Sequence, residues 1–176
     1  FAGDGCLMEG LSHEASSLAG HLQLEKLIVF FDDNSISIDG PTSLAVSENT
    51  IERYKAYGWK VIDINGHNHH DISTAITKAK LNNSPTLIAC KTKIGYGSPN
   101  KESKSSSHGS PLGGEEVDLT RKKLKWPHLP FEIPKNLLDQ WRKFYLRNMP
   151  EKEKWTQENK DLLKSEKLKK IFIKKL

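Results

Sequence analysis

The sequence predicts an α/β protein built on an open parallel sheet with helices on both faces, and three observations carry that prediction. Short unbroken apolar runs alternate with segments of helical period, as in strand-helix-strand units. A Gly-Asp-Gly turn opens the first helical segment, and the next apolar run closes on Asp32-Asp33-Asn34. The 176 residues, 36% hydrophobic and 28% charged, suffice for one sizeable core with an appendage.

Taken in order, Glu9 to Gln23 sets Leu11, Ala15, Leu18, Ala19 and Leu22 three and four apart, which predicts an amphipathic helix. Leu27 to Phe31 is a short apolar run ending in a polar loop, the pattern of a buried parallel strand. A second unit repeats the plan: helix over 48–57, strand over 59–64, helix over 71–81 and strand over 85–90. Residues 94–114 are rich in Gly, Ser, Pro, Asn and Lys and too long for a simple connection, so they read as a functional loop. Helices are expected over 115–126 and 135–147, separated by Pro127, Pro130 and Pro134. Beyond Pro150 lies a Lys/Glu-rich tail, in which Leu168, Ile171, Phe172 and Leu176 keep helical spacing among lysines. It reads as a solvated linker rather than a membrane-binding helix. The domain expectation is therefore a partial α/β domain over 1–126 and a helical linker over 127–176.

Charge and cysteine content exclude several classes. The net charge of +5 is concentrated after residue 150, where nine Lys face five acidic residues, so the body carries no nucleic-acid signature. No apolar run approaches the roughly 20 residues needed to span a bilayer, and no signal segment is present; a cytoplasmic location is expected. Cys6 and Cys90 lack metal-like spacing and read as inert buried thiols. The chain starts at Phe1, directly before Gly-Asp-Gly and without room for the strand that should precede it, so it reads as an internal piece of a longer protein.

The chemistry gathers at the strand ends. Twenty-eight residues lie between Gly5 of the Gly3-Asp4-Gly5 turn and Asn34, and with sequential strands adjacent both come to one carboxyl edge, where such sheets bind ligands. A carboxylate and an amide carbonyl are hard oxygen donors suited to magnesium, which completes its shell with water and phosphate oxygens. The glycines admit close approach of a diphosphate, and a helix starting at Glu9 would turn its positive end toward it. His67, His69, His70 and Asp71 resemble a metal cluster, but Asn65-Gly66 before them and a helix after them predict a loop with Asp71 as the helix cap.

The segments Gly3-Asp4-Gly5-Cys6-Leu7-Met8-Glu9-Gly10 and Asp32-Asp33-Asn34-Ser35-Ile36-Ser37-Ile38-Asp39-Gly40 resemble the thiamine diphosphate motif of transketolases. Further matches follow at Ala56-Tyr57-Gly58-Trp59, Lys91-Thr92-Lys93-Ile94-Gly95-Tyr96-Gly97-Ser98, Ser107-His108-Gly109-Ser110-Pro111-Leu112-Gly113 and Pro130-Phe131-Glu132-Ile133-Pro134, so the resemblance covers residues 1–147. It implies the diphosphate domain of a thiamine diphosphate-binding fold, truncated at its N-terminus. It implies two-carbon ketol transfer from a ketose phosphate to an aldose phosphate in the pentose phosphate pathway, by a homodimer, with the hard chemistry belonging to the cofactor.

Carried onto this chain, Asp4 and Asn34 become ligands of magnesium, for which calcium or manganese can stand in, and Ile36 a ligand through its carbonyl. Gly5 and Asn34 touch the diphosphate. His108 lies between the diphosphate and the donor sugar, where an imidazole can donate and exchange protons. Glu9 matches an acid buried beside the cofactor near the dimer interface; alone it also fits a first-turn helix acid. Where bacterial relatives often carry a second histidine in the His108 loop, this chain has Ser105, so no second histidine contact carries over. The glutamate that activates the cofactor belongs, in the family, to a following domain of the partner subunit, so this chain alone is expected to be inactive. Dihydroxyacetone synthase, which shares this architecture, and a non-catalytic binding module remain open alternatives.

Overall fold

The computed structural model describes residues 1–168 and 170. Of the apolar stripe expected in the tail, Ile171, Phe172 and Leu176 lie outside the described residues. The chain divides into two compact units, Phe1–Trp126 and Pro127–Leu176.

The first unit holds a four-stranded parallel sheet. Its strands are β1 (Ala2–Gly3), β2 (Ile28–Asp33), β3 (Lys60–Asn65) and β4 (Thr86–Lys91), in the order β1-β2-β4-β3. The expected adjacency of sequential strands holds for β1 with β2 and for β3 with β4, while the chain crosses over between β2 and β3. Phe1-Ala2 does leave room for a strand: two residues suffice, with Ala2 opposite Phe31 and Gly3 opposite Asp32.

β4 is the spine of the unit, buried from Thr86 to Cys90, and its alternating side chains feed two cores. Leu87 and Ala89 join Leu7, Ala19, Phe31, Tyr54 and Trp59, under the helices α1 (Asp4–Met8), α2 (Gly10–His21) and α3 (Thr50–Ala56). Ile88 and Cys90 join Ala75 and Ala79 of α4 (His69–Ala79) on the opposite face. Helices thus cover both faces. Such a doubly covered strand must read as a continuous apolar run, which is how it reads in the sequence.

On the first face, Tyr54 packs edge-on against Trp59 at 5.0 Å between ring centroids. The Trp59 indole donates to the Ser16 carbonyl at 2.8 Å, and the Ser16 hydroxyl to the Tyr54 hydroxyl at 3.0 Å. The chain reaches Trp59 through Gly58, whose φ of +85° is costly for any residue with a Cβ. Gly20 is required for another reason, since the Tyr57 carbonyl occupies the place where a Cβ on residue 20 would sit.

The helix expected over 9–23 forms as α2, with the additional short helix α1 before it and Glu9 extended (φ −67°, ψ 139°) between them, and two other expectations need correction. The Ser12 hydroxyl donates to the Cys6 carbonyl at 2.5 Å, filling the acceptor that the break leaves open. The leucine stripe of α2 does not enter the core: Leu11 is 77% exposed and Leu18 56%, and the residues buried on α2 are Ser16, Ala19 and Gly20. Only small residues fit where this helix meets the Tyr57-Gly58-Trp59 corner. Finally, Cys6 is exposed rather than buried, since it lies in the short α1 beside the open strand end; Cys90 is buried, and both thiols are free.

The loop between β4 and α5 (Gly114–Lys123) carries a 3-10 turn at Ser105–Ser107. In the second unit, α6 (Lys135–Arg147) has the predicted bounds. It is followed by α7 (Met149–Glu158) and α8 (Lys160–Lys164), so the segment read as a tail begins as helix, with Pro150 tolerated in the first turn.

Candidate cofactor and metal site

β1 and β2 end side by side, and the polypeptide leaves them in two different ways. From β1 it turns directly into α1, which presents Asp4; from β2 it enters a loop that presents Asn34 and Ile36. The Asn34 backbone N–H donates to Asp4 Oδ2 at 3.2 Å, which brings these two residues together at the carboxyl edge of the sheet. Asn34 Oδ1 accepts the Ile36 N–H at 3.0 Å in an Asx turn, and Ser35 between them takes a left-handed φ of +62°. An amide oxygen carries two lone pairs, so the turn leaves one for a further donor or ion. The loop then closes on itself through the Ile36–Pro41 bridge and the Ser37 N–H to Gly40 carbonyl bond at 2.7 Å.

The edge is acidic. Asp33 pairs with Lys91 and Asp32 accepts from the Thr92 hydroxyl, both partners coming from the end of β4. Asp4 makes no ion pair among the described residues. Burial pushes its carboxyl above the ordinary value, the Asn34 N–H pulls it down, and the charge of Asp33 raises it again. A half-buried carboxylate with a second acid beside it and no ion pair of its own among the described residues is a donor that a hard divalent ion would balance. A Cβ built on Gly3 or Gly5 meets nothing within 4 Å, so the backbone there faces open space that can admit a diphosphate. A cavity of about 360 Å³ adjoins Asp4 and Asp33, with Arg53 and Lys91 supplying positive charge to its wall.

The remaining candidates stand elsewhere. Gly5 lies within α1, one residue beyond Asp4. The helix whose N-terminus meets the strand end is therefore the five-residue α1, not a helix beginning at Glu9 as the sequence suggests. Glu9 is exposed at the junction of α1 and α2, so none of the described residues supplies the burial implied for it. His108 is exposed, ends the 3-10 turn, and is not among the residues lining the cavity beside Asp4. His67 accepts the Lys93 N–H at 3.0 Å and stacks on Tyr96 at 4.0 Å. The cap of α4 is Asn68, which accepts from the N–H groups of His70 and Asp71; Asp71 lies in the first turn instead of capping it.

Two groups at this edge escaped the sequence reading. Lys91 and Thr92 hold Asp33 and Asp32, and a signal for them existed: in a parallel pair, the residue ending one buried run stands opposite the residue ending the next, and Asp33 is opposite Lys91. Arg53 was also missed. Its guanidinium donates to the Leu7 carbonyl at 2.8 Å and to Glu48 at 2.7 Å, tying α3 to the end of α1.

A family model described as the transketolase thiamine diphosphate binding domain matches residues 1–175. The chain belongs to the transketolase family. A transketolase of Buchnera aphidicola from Schizaphis graminum is 49% identical over 160 residues, which cover 90% of this chain and 24% of that protein. The crystal structure of the Campylobacter jejuni transketolase superposes with a TM-score of 0.85 at 37% identity, covering 96% of this chain and 26% of that one. A Pichia stipitis transketolase in complex with sedoheptulose 7-phosphate gives 0.82 at 41% identity, over 88% of this chain and 23% of that one. The chain thus spans about a quarter of the length of the transketolases it matches. Among the described residues, no helix is long and apolar enough to cross a membrane.

Proposed function

We propose that the protein carrying this chain is a thiamine diphosphate- and magnesium-dependent transketolase, moving a two-carbon ketol unit from a ketose phosphate to an aldose phosphate in the pentose phosphate pathway. The observation that carries the reading is the under-compensated Asp4 carboxylate, bonded to Asn34 across the ends of two parallel strands. In this reading residues 1–126 are the diphosphate-binding domain and 127–176 a helical linker. A cytoplasmic location belongs to the same proposal.

Asp4, the Asn34 side chain and the Ile36 carbonyl would hold the metal, and Gly5 and Asn34 would lie against the diphosphate. When bound, thiamine diphosphate supplies the carbon nucleophile and the electron sink that carbon–carbon cleavage requires. The work left to this chain is positional and electrostatic. Asp4 supplies negative charge that a metal can neutralise, the glycine backbone leaves room for phosphate oxygens, and the Asx turn fixes Asn34 and Ile36 in one small loop. His108 would face the donor sugar and donate a proton to, or accept one from, its oxygens. Sugar phosphates are proposed as substrates by analogy with the ligand of the Pichia relative. A homodimer is proposed because α2 leaves Leu11, Leu18 and Leu22 uncovered beside the exposed Glu9; light scattering on the whole protein tests it.

The functional test is formation of sedoheptulose 7-phosphate from xylulose 5-phosphate and ribose 5-phosphate. The whole polypeptide is expected to turn over only with thiamine diphosphate and a divalent ion, and residues 1–176 alone not at all, because groups that act as a unit lose nearly all rate when divided. Cofactor-independent turnover, or turnover by 1–176 approaching that of a full-length relative, overturns the reading.

A further inference from the structure

The loop after β4 is anchored on a buried carboxylate. Glu116, in the first turn of α5, is only 7% exposed, and its carboxylate accepts from the Ser98 hydroxyl, the Asn100 N–H at 2.8 Å and the Asn100 side-chain amide at 2.8 Å. These bonds hold the carboxyl at about 2, with the Ser98 hydroxyl contributing most. Ser98 passes the constraint on, because its oxygen accepts the Lys101 N–H at 3.1 Å. Lys101 then reaches both flanks of His108. Its carbonyl accepts the Ser107 hydroxyl at 2.5 Å on one side. Its ammonium donates to the carbonyls of Leu112 at 2.9 Å and Pro111 at 3.5 Å on the other.

We propose that Lys101 is a positioning residue for His108, gripping both ends of the segment 107–112 that carries the histidine. The inference rests on His108 acting at the sugar, as proposed above. It follows from the geometry that an exposed imidazole in a Gly/Ser/Pro loop has no packing of its own to fix it, while the backbone on each side is fixed by one residue anchored to a buried carboxylate. A misplacement of about 1 Å in a catalytic group can cost on the order of 100-fold in rate, so a loop of this composition needs such an anchor if its histidine is to act.

The test combines two measurements on the whole enzyme. Hydrogen exchange without cofactor is expected to accelerate in residues 109–112 of Lys101→Met, which loses the ammonium but keeps the carbonyl that holds Ser107, with the sheet unchanged, and to return toward the parent in Lys101→Arg, which keeps a donor. In kinetics, Lys101→Met is expected to lower kcat/KM roughly tenfold in the parent but less than about twofold in a His108→Ala background, since contacts acting through one group are not additive. Equal losses in both backgrounds, or unchanged exchange in residues 109–112, would overturn the proposal while leaving the role of His108 standing. A His108→Ala enzyme as active as its parent would overturn that role and this proposal with it.

Discussion

The strand-end site and the loop above α5 both place carboxylates in part-buried surroundings, and they treat them in opposite ways. Glu116 is fully served by this chain: three hydrogen bonds bring its carboxyl down to about 2. Glu102, which accepts the Gly97 N–H at 3.0 Å and pairs with Lys93 and Lys123, also sits at about 2. Asp4 has no ion pair among the described residues and an acid for a neighbour, and burial raises its carboxyl although the backbone N–H groups of Asn34, Ser35 and Asp4 itself pull it down. A carboxylate that stabilises its own fold is saturated with donors from that fold. Asp4, which the proposed function assigns to a cation, instead lacks a charge partner of its own among the described residues.

Four experiments would break or sharpen that contrast. The largest effect is expected for Asp4→Asn, which keeps an acceptor for the Asn34 N–H but removes the charge. Binding of thiamine diphosphate with magnesium, followed by titration calorimetry on the whole protein, should weaken by about 100-fold or more, while the melting temperature of the cofactor-free protein stays unchanged or rises. A fall in that melting temperature would mean that Asp4 serves the fold. Next comes Glu116→Gln, which sets an amide where three donors converge. Limited proteolysis within residues 94–113 should accelerate several-fold even without cofactor, and unchanged cleavage would refute the account of Glu116 as the anchor.

The pH response should separate the two regions as well. Glu116 and Glu102 have folded values near 2, below the ordinary glutamate value of 4.5. Their contribution is complete above pH 4.5 and is lost as pH falls toward 2, because the unfolded state takes up protons first. Hydrogen exchange of the loop amides should therefore speed up across that window before the β4 amides do, and simultaneous loss would show that the loop has no separate anchor. The smallest effect is expected at the exposed Lys55–Glu52 pair, 2.7 Å apart on α3, where Glu52→Ala should change stability by less than about 0.5 kcal/mol. A larger change in a chemical denaturation curve would indicate that exposed charge pairs matter more here than the buried networks suggest.

Sequence alone determined the elements whose cause is local. The run Thr86–Cys90, bounded by turn residues, is as short and apolar as a doubly covered strand requires, and Asp4 and Asn34 come together because the crossover between them joins two adjacent parallel strands. Pattern and motif therefore sufficed for strands β2 to β4, for α2 to α6 and for the proximity of those two residues, but not for β1, α1 or the order of the strands. What depends on distant partners was decided only in three dimensions. The Leu11-Leu18 stripe looks like a core face, yet the Tyr57 carbonyl approaches Gly20 so closely that the helix docks on its small-residue side instead. Glu116 reads as one more charge in a helical first turn until Ser98 and Asn100, 18 and 16 residues earlier, fold back onto it. Periodicity records which residues are apolar, not which neighbour arrives first, and hydrogen bonds that close long loops leave no period to read.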